Sequence, residues 1–98
     1  MSTCSISIIP KTKEVSVSAW VAKCLKVLDD FPDLKYTLTA MSTQIEGPTD
    51  RLFEAIRAMH EAPFKDGVKR VYTVVHLDDR RDKELTLDGK VTSVQKKL

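Results

Sequence analysis

The sequence predicts an α+β fold in which a four-stranded antiparallel sheet carries two helices on one face and a third helix follows at the C-terminal end. Three observations predict it. Period-two runs mark Cys4 to Ile9, Lys35 to Glu46 and Arg70 to Asp78. Apolar stripes at helical spacing fill the two gaps, over Val17 to Leu28 and over Leu52 to Pro63. The resulting order, strand, helix, strand, strand, helix, strand, is the split βαβ or ferredoxin-like arrangement. The chain of 98 residues suits one domain spanning 1–98.

The first strand is expected from about Thr3 to Ile9, with Cys4, Ile6 and Ile8 on one face, Ser5, Ser7 and Ile9 on the other, and Pro10 ending it. Ser16 is placed to cap the first helix, whose stripe is Val17, Trp20, Val21, Cys24, Leu25 and Leu28. An aromatic in register with that stripe reads as core, so Trp20 is assigned there. Pro32 cannot continue a helical ladder and returns the chain to the sheet. Lys35 to Met41 and Thr43 to Glu46 then read as a hairpin folding near Met41 and Ser42, although the usual Asn-Gly is missing.

After Gly47 and Pro48, Thr49 or Asp50 can cap the second helix, and Pro63 is expected to kink or end it. Arg70 to Asp78 is apolar on both faces, as in a strand covered on each side. Helices supply one cover, and a second subunit is the natural source of the other. The run DDRRDKE, Asp78 to Glu84, reads as a solvated loop. Thr86 caps a third helix with the narrow seam Leu87, Val91, Val94 and Leu98, in which Gly89 weakens the first turn.

Composition excludes several classes. Lys plus Arg total 16 against 14 for Asp plus Glu, and a net charge of +2 is too small to imply nucleic acid or an acidic membrane surface. No apolar run approaches the roughly 18 residues of a membrane span, and the N-terminus lacks a basic region followed by a long apolar one. A cytoplasmic location is therefore expected. Cys4 and Cys24 are the only cysteines, without CxxC or paired histidines, so buried free thiols are expected and neither a metal nor a cofactor is.

Chemical motifs are sparse. There is no Gly-rich phosphate loop, no GxSxG and no Ser, His and acid grouping. What stands out is the ribbon Lys35 to Gly47, KYTLTAMSTQIEG, with Thr37, Thr39, Ser42, Thr43 and Glu46 on a rigid element. The plainer reading is a solvated outer face, since Thr is a good strand former. The alternative is a surface that hydrogen-bonds a small polar ligand, in which Glu46 serves either to recognise an amino group on a heteroaromatic ring or as an acid or base.

SISIIP near the start, KYTLTAMSTQIEG, HE followed by KDGVKRVYTVVHLDDRRDK, and the closing KVTSVQKKL together resemble the MTH1187-type (UPF0045) family of the thiamine-binding, YkoF-like superfamily. The resemblance covers nearly the whole chain. It implies a ferredoxin-like domain assembling as a homodimer or homotetramer and binding thiamine, or its hydroxymethylpyrimidine moiety, without a known reaction. Carried over by position, it makes the hairpin and the first strand a pocket wall, with Ser7, Thr39, Met41, Thr43 and Glu46 as ligand-binding candidates. Two departures stand out: Lys11 to Glu14 has no glycine where relatives often have one, and Gly89 replaces a better helix former. The expected function is non-catalytic small-molecule binding. The other readings are an enzyme of uncharacterised chemistry using Glu46 and a structural oligomer without ligand.

Overall fold

The structure, a computed structural model, describes residues 1–98. Its elements are β1 (Ser2–Pro10), α1 (Ser18–Lys26) continued by a 3₁₀ turn (Val27–Asp30), β2 (Lys35–Leu38), β3 (Thr43–Gly47), α2 (Thr49–Lys65), β4 (Val71–Asp79) and α3 (Leu87–Gln95). The strands form one antiparallel sheet in the order β2-β3-β1-β4, which is the ferredoxin-like arrangement with β1 at its centre.

One face of the sheet carries the core. Cys4, Ile6 and Ile8 of β1 and Ile45 of β3 point at Cys24, Leu28, Leu52, Ala55 and Met59 from the helical layer, with Phe31 and Leu34 closing one end. Alternation places these residues on one side of each strand and the 3.6-residue period gathers their partners on one stripe of each helix. Ile45 and Leu52 are wholly enclosed. Each such side chain contributes about 1.5–3 kcal/mol relative to exposure. Cys4 and Cys24 are buried as free thiols.

Several local expectations are corrected. Trp20 is only half-buried and stands outside the core cluster, with Lys23 Nζ 4.8 Å from its ring centroid, because the helix turns this position towards solvent beside the stripe. Ser16 does not cap α1: the cap position is Val17, without a side-chain hydrogen bond. Neither Thr49 nor Asp50 caps α2. Pro48 occupies the cap, and Thr49 Oγ1 is instead 2.6 Å from Ser2 Oγ, joining α2 to the start of β1. The helix passes through Pro63 to Lys65.

Thr86 does cap α3, its Oγ1 accepting from Gly89 N–H at 3.0 Å. A Cβ on Gly89 would lie 2.7 Å from that oxygen, so the glycine lets the cap approach. Asp78 to Glu84 is exposed, with Arg80 paired to Asp82 and Arg81 to Asp79 within the loop and at its strand. No helix is long and apolar enough to cross a membrane.

Candidate functional site

The site grows from a mismatch in strand length. β1 pairs with β4 along its whole course, Ser2 to Pro10, but with β3 only from Ser2 to Ile6. Beyond Ile6 the sheet lacks a rung on that side, because the hairpin has already turned. Thr39 N–H donates to the Ser42 carbonyl at 2.9 Å, closing a two-residue tip at Ala40 and Met41, one residue earlier than the sequence indicates; β2 accordingly stops at Leu38 and not at Met41. Thr39 Oγ1 accepts from Ser42 N–H at 3.2 Å, a bond that a backbone carbonyl makes in ordinary hairpins. With no positive φ at the tip, Asn-Gly is not required there.

The tip is fastened to β1 by hydroxyls. Ser5 Oγ donates to Ser42 Oγ at 2.8 Å and Ser7 Oγ reaches the Met41 carbonyl at 3.3 Å. Between the tip, the far end of β1 and the first turns of α1 lies a cavity of about 250 Å³. Hydrophobic residues provide most of its wall, Ile8, Val21, Cys24, Leu25, Leu38 and Met59 among them, and Ser7, Thr39, Ser42 and Thr43 its polar edges. Its fifteen lining residues include no charged side chain, so it can hold a small, mostly apolar ring oriented by a few hydrogen bonds. Burial raises the Cys24 thiol above its usual range, keeping it protonated at the cavity floor.

Ser7, Thr39, Met41 and Thr43 of the expected site are brought together on this cavity. Thr43 is buried and shares the core-facing side of β3 with Ile45. Met41 is at the rim, 89% exposed. Glu46 is not among them. Three residues beyond Thr43, it points from the other face of the sheet, where the in-register row Lys35, Glu46, Thr3, Asp78 crosses all four strands. The start of α3 lies over that row, with Asp88 bonded to Lys35 at 3.0 Å and Lys90 to Asp78 at 2.5 Å. Beneath it Glu46 is 6% exposed and its Oε1 has no partner. Sequence reasoning expected the first strand as pocket wall without singling out Ile8, and read Val21 and Leu25 as core stripe, missing them as cavity wall. The available signal was the greater length of the first strand over the third.

Comparison with known proteins agrees with this architecture. Residues 4–95 match the model of a family described as thiamine-binding protein. The UPF0045 protein YqgV of Bacillus subtilis is 47% identical over 102 aligned residues, covering 100% of this chain and 98% of its own. A UPF0045 protein of Methanothermobacter thermautotrophicus is 38% identical, with 100% of each chain covered. Among solved structures, hypothetical protein MJ1052 of Methanocaldococcus jannaschii superposes with a TM-score of 0.86 at 34% identity, covering 96% of this chain and 95% of that one. A Thermotoga maritima protein, described as a candidate for thiamine biosynthesis or salvage, superposes at 0.77 with 16% identity over 95% and 97% of the two chains, a likeness of fold.

Proposed function

The chain belongs to the thiamine-binding protein family, and on that premise we propose that it is a non-catalytic carrier or sensor of thiamine or its hydroxymethylpyrimidine moiety. The observation that carries this reading is the uncharged cavity where Thr39, Met41 and Thr43 of the hairpin meet Ile8 of β1. A cavity of about 250 Å³ is small for a drug-sized ligand and suits a single ring, so the pyrimidine enters and the cationic thiazolium of thiamine stays at the mouth. The enzymatic alternative rests on Glu46, which faces away from the cavity. We place the protein in the cytoplasm, and we read it as a homodimer or homotetramer because Tyr72 and Val74 stand on the sheet face away from α1 and α2 and Tyr72 is 56% exposed.

A thermal-shift panel of thiamine, its phosphates, hydroxymethylpyrimidine and unrelated heterocycles tests the reading. Selective stabilisation by the pyrimidine compounds is expected, since a ligand of the folded state alone raises apparent stability by mass action. A flat response to all of them would remove the function proposed.

A further inference from the structure

Two of the side-chain hydroxyls around the cavity are already committed. Thr39 is committed to the hairpin turn and Ser7 to the Met41 carbonyl. The main chain of β1 supplies more. Lys11 N–H donates to the Arg70 carbonyl at 2.8 Å in continuation of the β1–β4 register, which pairs Pro10 with Val71. That bond marks the odd-numbered residues of β1 as the ones bonded to β4, because main-chain groups alternate between the two edges of a strand. The even-numbered residues face β3. Ile6 meets Thr43 there, and the next even position, Ile8, would meet residue 41.

The hairpin has turned by then, and no main-chain bond joins Ile8 to the tip. Pro10, at the following even position, fits the same pattern: a residue without N–H is tolerated where the ladder does not need one. Ile8 is itself buried and lines the cavity. A buried main-chain donor and acceptor without partners cost free energy comparable to a lost hydrogen bond, so their presence on a cavity wall marks a place for a ligand's polar edge.

We propose that Ile8 is the specificity-determining residue of the cavity and that it acts through its main chain. Its N–H and C=O emerge on the same side of the strand, a donor beside an acceptor. Their complement is a flat heteroaromatic ring with an amino group next to a ring nitrogen. Such a ring occupies the missing rung where β3 ends, its helix-side face against Leu38, Met59 and Val21. The proposal deepens the functional reading above and rests on it: what is recognised is the aminopyrimidine edge, by backbone and not by carboxylate.

Amide exchange and titration followed by NMR test it in the intact protein. In the free protein Ile8 N–H should exchange faster than Ser7 and Ile9, which are bonded to β4. Saturating 4-amino-5-hydroxymethyl-2-methylpyrimidine should slow it at least tenfold and move its proton resonance downfield, and the analogue lacking the 4-amino group should bind at least tenfold more weakly. An Ile8 amide already protected in the free protein, or unchanged at saturation, overturns the proposal while leaving pyrimidine binding in place. Absence of binding by either compound overturns both.

Discussion

Glu46 and Lys35 stand opposite each other in register on β3 and β2 without pairing: Lys35 Nζ turns to Asp88 at 3.0 Å, and Glu46 Oε1 is buried alone. A buried carboxylate oxygen without a partner costs more than an exposed one, and an apolar replacement of the same shape removes that cost. Glu46→Met should therefore raise the unfolding free energy by about 1 kcal/mol in urea titrations. Pyrimidine affinity should be unchanged. A tenfold loss by calorimetry would return Glu46 to the ligand's contacts.

Thr43 is the hydroxyl on the core-facing side of the ribbon. Thr43→Val keeps the branched shape and the strand propensity while removing one hydrogen-bonding group. Affinity for hydroxymethylpyrimidine should fall by about 1 kcal/mol, roughly fivefold. Equal isotherms for the two proteins would show that Thr43 is only wall.

Gly47 closes β3 against the core. A Cβ there would collide with Leu34 Cδ2, and Leu34 is itself buried. Overpacking of this kind typically costs about 1–3 kcal/mol, so Gly47→Ala should lower the urea midpoint accordingly. An unchanged midpoint would mean that Leu34 moves aside freely.

Burial pushes the Cys4 thiol up to about 11 from 9.0, against a smaller opposing effect of its hydrogen bond to the Ile45 backbone. Between those values the unfolded chain has lost the proton and the folded one retains it. Stability from this group is thus present below about pH 9 and lost as pH rises towards 11. Cys4→Ala should lose less stability over that window than the parent, a difference that cancels the lysines titrating in both proteins. Parallel curves would contradict it.

Sedimentation at micromolar concentration should give a mass at least twice 11.1 kDa. Val74→Glu, which puts a charge on the sheet face away from α1 and α2, should shift the population towards the monomer. A parent protein sedimenting as 11.1 kDa would remove the assembly.

Legibility in the sequence followed physical scale. Alternation along Cys4, Ile6 and Ile8 and the stripe through Cys24 and Leu28 are repeated signals, each element burying several residues, so element order and core were readable. Single-residue decisions were not. Whether Ser16 or Val17 caps α1, whether Pro63 ends α2 and whether the hairpin turns at Ala40 or Met41 each depend on one or two hydrogen bonds formed with distant or lateral partners. The candidate site shows the same division. Composition singled out Thr39 and Thr43, the family resemblance added Met41, and all three line the cavity. Glu46 shares their ribbon but not their surroundings, since the direction of a strand side chain reverses at every residue and only the register states what covers it.

No residue of α3 is buried, and the helix is tied to the sheet by Lys35–Asp88 and Lys90–Asp78, both solvent-exposed. Such pairs are worth about 0–1 kcal/mol each and are screened by salt, over a Debye length of about 3 Å at 1 M against about 8 Å at 0.15 M. Ionic strength is therefore a conformational variable for this chain. The sheet and its two inner helices are held by apolar burial, whereas the attachment of α3 through Asp88 and Lys90 loosens as the medium becomes more saline. Water then reaches Glu46, and the C-terminal helix becomes the most accessible part of the chain to a protease.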